Sequence, residues 1–463
     1  MKELIHIFYT NDLHSHFEYW PKVATYIKGE RAKKLADEKT SLLVDVGDHV
    51  DRVNYMAEAF KGRGNVALMN ELGYDFVTLG NNEGITLSQT DLYRLYDRAN
   101  FSVVCSNLKS NLDQQPGWLT HTAQVTTKKG VKIGILGLTV PYDTFYQLLG
   151  WDIESPYDTL EKYLTHLEKQ TDIIVLLSHL GISEDRTIAE RFPEIDVIIG
   201  GHTHHLLRTG EYVNETLITA AGKYCSHVGE VILTWDHEAK TLYKKEAYTT
   251  NITHLEDDEK TVQQLSQLNV EADKLFNKPI VTIEEPLVVN WYEETEIMKH
   301  LTNTITEYTD AECGLLNAGL LLENFPKGEI TYKDVHRICP HPINPAVVYL
   351  RGDELTEVIR ATLTKQFMQF RLNGLGFRGE VLGRMVFSNL QVQTKPLPNG
   401  ELFVESIQFH DEKLQPNKIY KVATADTFTF GRLLPEIAKA KNKQYFLPEM
   451  IRDLLVKTLK TYY

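Results

Sequence analysis

Asp12 and His14 stand two residues apart at the end of a short apolar run, 4–9, and His202 and His204 repeat that spacing after the run 197–199. If strand geometry carries through each pair, both side chains leave on one face and can hold one ion. Three further apolar runs, 42–46, 76–79 and 173–177, lead into Gly47 and Asp48, Gly80 and Asn81, and Ser178 and His179. Taken singly, Asp-x-His is a common accident and Gly-Asp or Gly-Asn is an ordinary turn. Five run ends that all deliver ligand types point instead to metal. Asp12, His14, Asp48, Asn81, His179, His202 and His204 supply oxygen and nitrogen donors and no thiolate, more than one ion needs. Two ions about 3.5–4 Å apart can share a water, lower its pKa and clamp the oxygens of a phosphoryl group during in-line attack. Asp48 is the natural carboxylate to lie between them. The donor set suits Mn, Fe, Co or Zn, with Mg possible.

The elements that must position these residues follow from the same runs. Each is too short for a helix and reads as a buried strand. Helical stretches at 22–39 and 87–99 separate them, so strand and helix alternate as in an α/β domain, where sites form beyond the carboxyl ends of the strands. Around 256–278 the chain turns polar and helix-favouring, opening on Asp257, Asp258 and Glu259, as suits a helix N-terminus. We place a linker helix at 256–278, between a metal-binding domain at 1–255 and a second domain at 279–463. In that second domain 293–308 and 353–364 read as helices and 402–409 as a strand, giving an α/β or α+β fold.

At 463 residues two domains are expected on length alone. The hydrophobic fraction of 42% and charged fraction of 24% describe an ordinary globular chain. A net charge of -14 argues against a surface that coats nucleic acid. Cys105, Cys225, Cys313 and Cys339 are scattered, with no CxxC pair, and read as reduced packing thiols. The N-terminus runs straight into the first motif with no apolar signal region, and no segment is long and apolar enough to span a bilayer. A cytoplasmic location with no membrane partner is the expectation, and oligomeric state is left open.

In order along the chain, Asp12-x-His14, Gly47-Asp48, Gly80-Asn81, His179 and Gly201-His202-x-His204 resemble the motif series of the calcineurin-like metallophosphoesterases, a match that spans most of residues 1–235. The resemblance implies an N-terminal four-layer αββα sandwich. It also implies one ion among Asp12, His14, Asp48 and His204 and a second among Asp48, Asn81, His179 and His202. The segments 10–17 and 222–229 resemble the branch that holds bacterial 5′-nucleotidases, UDP-sugar hydrolases and 2′,3′-cyclic phosphodiesterases, whose members carry a C-terminal substrate domain. Asn317-Ala318-Gly319, the segment 328–331 with Asp334 and Val335, and Phe387-Ser388-Asn389 are similar to parts of that domain. What this implies is a two-metal hydrolase of phosphate esters or anhydrides, acting on nucleotides or nucleotide-like small molecules in nucleotide catabolism. Manganese is one of the metals expected.

The chain also departs from that family. Where the family has a His that assists the leaving group and an Asp that orients it, this chain has Asn82 and Ile85. Asn82 can donate a hydrogen bond to a phosphoryl oxygen but supplies no proton, and general acid assistance is typically worth about 10²–10⁴-fold. Leaving groups of low pKa should suffer least. His16 and His49 are candidate replacements, although a His beside a metal site more often orients a ligand from outside. Asn82, Asp48 and His49 are taken as the catalytic group. Arg52 could face a substrate phosphate or pair with Asp51. Leu320, Leu321 and Leu322 stand where the family has a phosphate-binding Arg, and 426–432, which ends on Arg432, stands in place of a ribose-binding turn. The substrate candidates are Asn317, Gly319, Phe387, Asn389, Phe430 and Arg378. Phe387 and Phe430 would clamp a base, against the alternative that they are core, and Arg371, Arg378 and Arg384 border or lie in the Gly-rich stretch 373–383. The competing readings are a metal-retaining regulatory protein with degenerate catalysis and a phosphatase of a non-nucleotide substrate.

Overall fold

The computed structural model describes residues 1–398, 401–431 and 433–463, so Arg432 lies outside the described residues. The chain divides into two compact units, Met1–Ala272 and Asp273–Tyr463. The division falls inside the helix Glu259–Phe276, which occupies most of the segment 256–278.

In the first unit the apolar runs are strands, as their length and β-branched content dictate. Lys2–Thr10, Thr40–Asp45, Phe76–Val77 and Ser102–Val104 lie side by side in parallel at the heart of a seven-stranded sheet, with the hairpin His227–Asp236 and Thr241–Asn251 added antiparallel at one edge. A six-stranded sheet has Lys132–Thr139, Ile173–His179, Val197–Gly200 and Thr216–Thr219 in parallel at its centre. Alternate residues of the two sheets share one core: Ile5, Ile7, Leu42 and Val44 from the first, Ile133, Ile135, Val175 and Val197 from the second. Residues of the opposite parity, Leu136, Leu176 and Ile198, face outward and are covered by Leu160 and Leu164 of the helix Pro156–Leu167 and Ile188 of the helix Ile182–Arg191. Both faces of these strands are therefore buried, which is why they read as continuous apolar runs. The helix Trp20–Ala36, whose buried face is Trp20, Val23, Ala24 and Ile27, packs on the strand Thr40–Asp45. The expected four-layer αββα sandwich is what the chain forms.

The second unit is also mixed. Its five-stranded sheet runs Met385–Ser388, Cys313–Asn317, Ile419–Ala425, Pro345–Arg351, Lys443–Tyr445, accompanied by the helices Glu296–Tyr308, Gly352–Thr362 and Ile451–Tyr462. One core joins them, with Met298, Leu301, Leu316, Val348, Leu355 and Leu455 among its members. All four cysteines are buried and unbridged.

One expectation fails in detail. Strand geometry does not carry through Asp12 and His14 or through His202 and His204. The strands stop at Thr10 and Gly200, and the four residues have left-handed backbones, with φ of 51°, 50°, 68° and 58°. The i and i+2 side chains converge because the backbone curls beyond the sheet edge.

Candidate metal centre

The five strand exits meet at one place. Oxygen and nitrogen atoms of Asp12, His14 and His204 lie within 4.8 Å of one another, and so do those of Asp12, Asp48 and His179. Asp12 belongs to both groups. His204 Nε2 is 3.5 Å from Asp12 Oδ1 and 3.1 Å from His14 Nε2, while His14 Nε2 is 3.7 Å and His179 Nε2 3.4 Å from Asp48 Oδ2. His202 and Asn81 pair with each other, His202 Nδ1 lying 2.9 Å from Asn81 Oδ1, and the His202 ring packs 5.3 Å from that of His179. Asp48 shares the left-handed backbone of its partners, at φ 50°. Five non-glycine ligands in a region that L-residues rarely enter mark a place where the surroundings hold the chain against its local preference.

The supports are visible. Asn11 donates from Nδ2 to Asp12 Oδ2 (2.7 Å) and to the carbonyl of Gly222 (2.7 Å). The amide of His202 donates to both Asp12 oxygens at 3.1 Å. Glu83 is fully buried and its carboxylate accepts from the amides of Asp48 (3.0 Å), Val50 (2.8 Å) and Gly80 (2.9 Å), clasping the turn that carries Asp48. Gly80 has no room for a side chain, since a Cβ there would lie 2.0 Å from Asp48 Oδ1. Two of the imidazoles are also fixed from behind, which orients the nitrogen that faces the cluster: His179 Nδ1 meets the carbonyl of Val46 at 2.7 Å, and His14 Nδ1 lies 3.4 Å from Asp51 Oδ2. Asn11, Asp51 and Glu83 were not assigned roles from sequence. The hint for all three was adjacency to a ligand-bearing motif.

A cation fits here on the structure's own terms. His179 Nε2 is buried and, among the described residues, has no partner within hydrogen-bond geometry, although it faces two carboxylates. A polar atom left so in a fully packed interior is costly unless something charged completes it. Burial lowers the proton affinity of His179, but Asp48 and Asp12 overcome it and push the imidazole up to about 10; Asp48 itself, despite burial, is held well below the usual carboxylate range by His179 and His14. A bound proton thus stands where positive charge is wanted. Burial, then the nearby His179 charge, pushes His202 down to about 4, and burial with the His14 and Lys223 charges does the same to His204. Both are neutral at physiological pH, as a ligand must be.

The other predicted residues land differently. Asn82 sits at the cluster, but its amide is engaged. Its Nδ2 lies 2.9 Å from His14 Nδ1, its Oδ1 accepts from Asn81, and its backbone N–H donates to Asp48 Oδ1 at 2.8 Å. His49 is not brought in. Its buried ring packs edge-on to Trp20 at 5.0 Å and faces Asn65, so Asp48 and His49 point to opposite sides of the turn. His16 is at the rim, stacked on Tyr224 at 3.7 Å. Arg52 turns to neighbours within its own segment of the fold. It is buried and forks onto Glu58, Nη2 to Oε1 at 2.8 Å.

In the second unit the predicted substrate residues are largely structural. Asn317 is buried and donates to the carbonyl of Leu382 at 2.8 Å, and a Cβ on Gly319 would lie 2.0 Å from the carbonyl of Val381. Phe387 belongs to the core, and the ring of Phe430 lies parallel to that of Tyr445, 6.3 Å between centroids. Asn389 donates to the carbonyl of Glu312. The amide of Arg378 donates to His341 Nδ1 at 2.9 Å, and its Nη1 to the carbonyl of Phe377. The stretch around Gly379 and Leu382 is thereby folded down on the Asn317 turn. Leu320 and Leu321 are buried, which accounts for their apolar character.

Comparison with known proteins agrees with this geometry. Residues 5–206 match the calcineurin-like phosphoesterase family and residues 279–432 match the 5′-nucleotidase C-terminal domain. An uncharacterized metallophosphoesterase of Bacillus subtilis, YunD, is 41% identical over 98% of this chain and 99% of its own length. Among solved structures, a putative 5′-nucleotidase from Staphylococcus aureus superposes with a TM-score of 0.69 at 18% identity, covering 99% of this chain and 97% of that one. NAD nucleotidase from Haemophilus influenzae gives 0.68 at 16%, covering 100% and 97%. At such identities the structural agreement is one of fold.

Proposed function

The chain belongs to the calcineurin-like metallophosphoesterases, with a 5′-nucleotidase C-terminal domain behind the metal-binding one, and we propose that it hydrolyses phosphate esters or anhydrides of nucleotides or nucleotide-like small molecules. The observation that carries this reading is the meeting of Asp12, His14, Asp48, His179 and His204 in two groups that share Asp12, around a buried imidazole nitrogen that faces two carboxylates. We assign Asp12, His14, Asp48 and His204 to one ion and Asp48, Asn81, His179 and His202 to the other, manganese being one suitable metal, with the domain limits at 255 and 279. Two bound divalent ions supply an activated water and positive charge for the phosphoryl oxygens.

The rest falls to the chain. Asp51 and Val46 hold the outward nitrogens of His14 and His179, Glu83 and Asn11 hold Asp48 and Asp12, and Asn82 braces His14 and Asn81. With its amide so engaged, Asn82 is a positioning residue and itself supplies no proton to a leaving group. Substrates whose leaving group departs as a stable anion are therefore favoured. A second reading, a regulatory protein with degenerate catalysis, draws on the same Asn82. The four buried thiols support a reducing, cytoplasmic setting.

The test is phosphate release by metal-stripped protein resupplied with Mn, on a nucleoside monophosphate, a nucleoside diphosphate, a nucleotide sugar, a cyclic nucleotide and p-nitrophenyl phosphate, with Asp48→Asn as control. Metal-dependent turnover that disappears in the variant is expected. Two bound metals with no turnover of any compound would transfer the weight to the regulatory reading.

A further inference from the structure

The ligand shell is closed on one side and open on the other. Asp12 and His179 are fully buried, whereas a third of the His204 side chain is exposed, at 34%. The cluster is thus open to solvent on the His204 side.

On that side runs the turn Gly222, Lys223, Tyr224, Cys225. Three of its four residues have left-handed backbones, with φ of 82° at Gly222, 59° at Tyr224 and 51° at Cys225. Tyr and Cys rarely accept that conformation. The turn is tied to the metal-bearing segments at every step: the amide of Tyr224 donates to the carbonyl of Asp12 (2.8 Å), the amide of Gly222 to the carbonyl of His205 (2.9 Å), and Asn11 bonds both the carbonyl of Gly222 and the amide of Ala221. The position of Lys223 is thus set by the same backbone that sets Asp12 and His204.

Its surroundings direct it further. The Lys223 ammonium lies over the Tyr224 ring, 4.6 Å from the centroid, a cation–π contact that restrains a long side chain. Tyr224 stacks on His16 and meets the His14 ring edge-on at 6.1 Å. Among the described residues Lys223 has no carboxylate partner, although acidic residues outnumber basic ones in this chain by 63 to 49. An exposed, restrained cation with no carboxylate partner among the described residues therefore stands beside the segments that carry Asp12, His14 and His204.

We propose that Lys223, restrained by Tyr224, is a subsite for a second phosphate, the one across the scissile P–O–P bond, so that phosphoanhydrides such as nucleoside diphosphates or nucleotide sugars are the preferred substrate class. This rests on the hydrolase reading above and supplies what Asn82 withholds. Water oxygen bonds to the phosphorus at the metal centre as the bridging P–O bond breaks. The electron pair of that bond leaves with the second phosphate, and the water's proton passes to solvent. A phosphate leaving group needs its charge met rather than a proton delivered, and an ammonium meets it.

Binding and turnover test this separately. By calorimetry, Mn-loaded wild-type protein should bind methylenediphosphonate, which cannot be hydrolysed, more tightly than methylphosphonate. In Lys223→Met that preference should fall about tenfold, the loss of one charge-assisted hydrogen bond, and Lys223→Arg should restore most of it. The ratio of kcat/KM for a nucleoside diphosphate over p-nitrophenyl phosphate should fall in step. A wild type without the preference, or a Lys223→Met variant that keeps it, overturns the subsite whether or not the protein hydrolyses anything. Absence of turnover on every substrate would instead defeat the hydrolase reading, while the diphosphonate measurement still decides the role of Lys223.

Discussion

Loading the metal centre should release a proton, and its source should be His179. That imidazole is fully buried with its Nδ1 committed to the Val46 carbonyl, so only Nε2 can reach a metal. Burial alone would favour the neutral ring, but the Asp48 and Asp12 charges prevail and push it up to about 10. At pH 8 the metal-free ring is then almost wholly protonated, and displacing that proton costs an incoming ion about 2.7 kcal/mol, roughly a hundredfold in affinity. His202 and His204, pushed down to about 4, have nothing to give up. Apparent Mn affinity should climb about tenfold per pH unit between pH 7 and 9. Calorimetric titration in two buffers of different ionisation heat should find at least about one proton released, and His179→Asn should release about one fewer. The metal-free protein carries the same linkage with opposite consequence. A folded-state pKa above the unfolded value of about 6.5 contributes stability that is complete below pH 6.5 and fades as pH rises towards 10. Affinity that is flat across this range, or a His179→Asn variant that releases as many protons as wild type, would refute the reasoning.

Two further substitutions separate the roles assigned above. Gly80→Ala alters no ligand, yet its Cβ would lie 2.0 Å from Asp48 Oδ1, so elemental analysis should find the bound metal much reduced; full metal content would show that the turn moves aside easily. Arg52→Met takes the fork from buried Glu58, which keeps Lys61, and should lower stability by about 2 kcal/mol in denaturant unfolding. A raised KM with unchanged stability would return Arg52 to the substrate.

The strands and the places where ligands leave them were legible because both come from one constraint. Parallel strands covered on both faces are largely apolar, and a ligand type follows within a few residues of each apolar run, so Asp12, Asp48, Asn81, His179 and His202 announce themselves. What lay beyond each strand end was not legible, since direction there depends on backbone angles that residue type does not reveal. His49 follows Asp48 directly and carries a catalytic side chain, but the turn sends it to Trp20 and Asn65. Arg52 is gripped by Glu58, a partner that residue type and spacing did not suggest. In the strand Met385–Ser388 all four residues are buried, so the alternation that would have marked Phe387 as core or surface is absent.

The same reasoning explains why the supporting residues escaped notice while the ligands did not. Ligand types are few and their clustering is improbable, so the chemistry shows through composition at a handful of positions. A support such as Glu83 or Asn11 is chosen by distance to a backbone amide on another strand exit, and any carboxylate or amide near the motif would look equally qualified. Lys223 belongs to this second kind. Nothing in its type distinguishes it from other lysines; what distinguishes it is a turn of left-handed residues hydrogen-bonded to the carbonyls of Asp12 and His205. The metal chemistry of this chain is thus written in residue types, whereas the features that would select its substrate are written in where the backbone is made to go. The second kind becomes readable only when the strand exits are seen together.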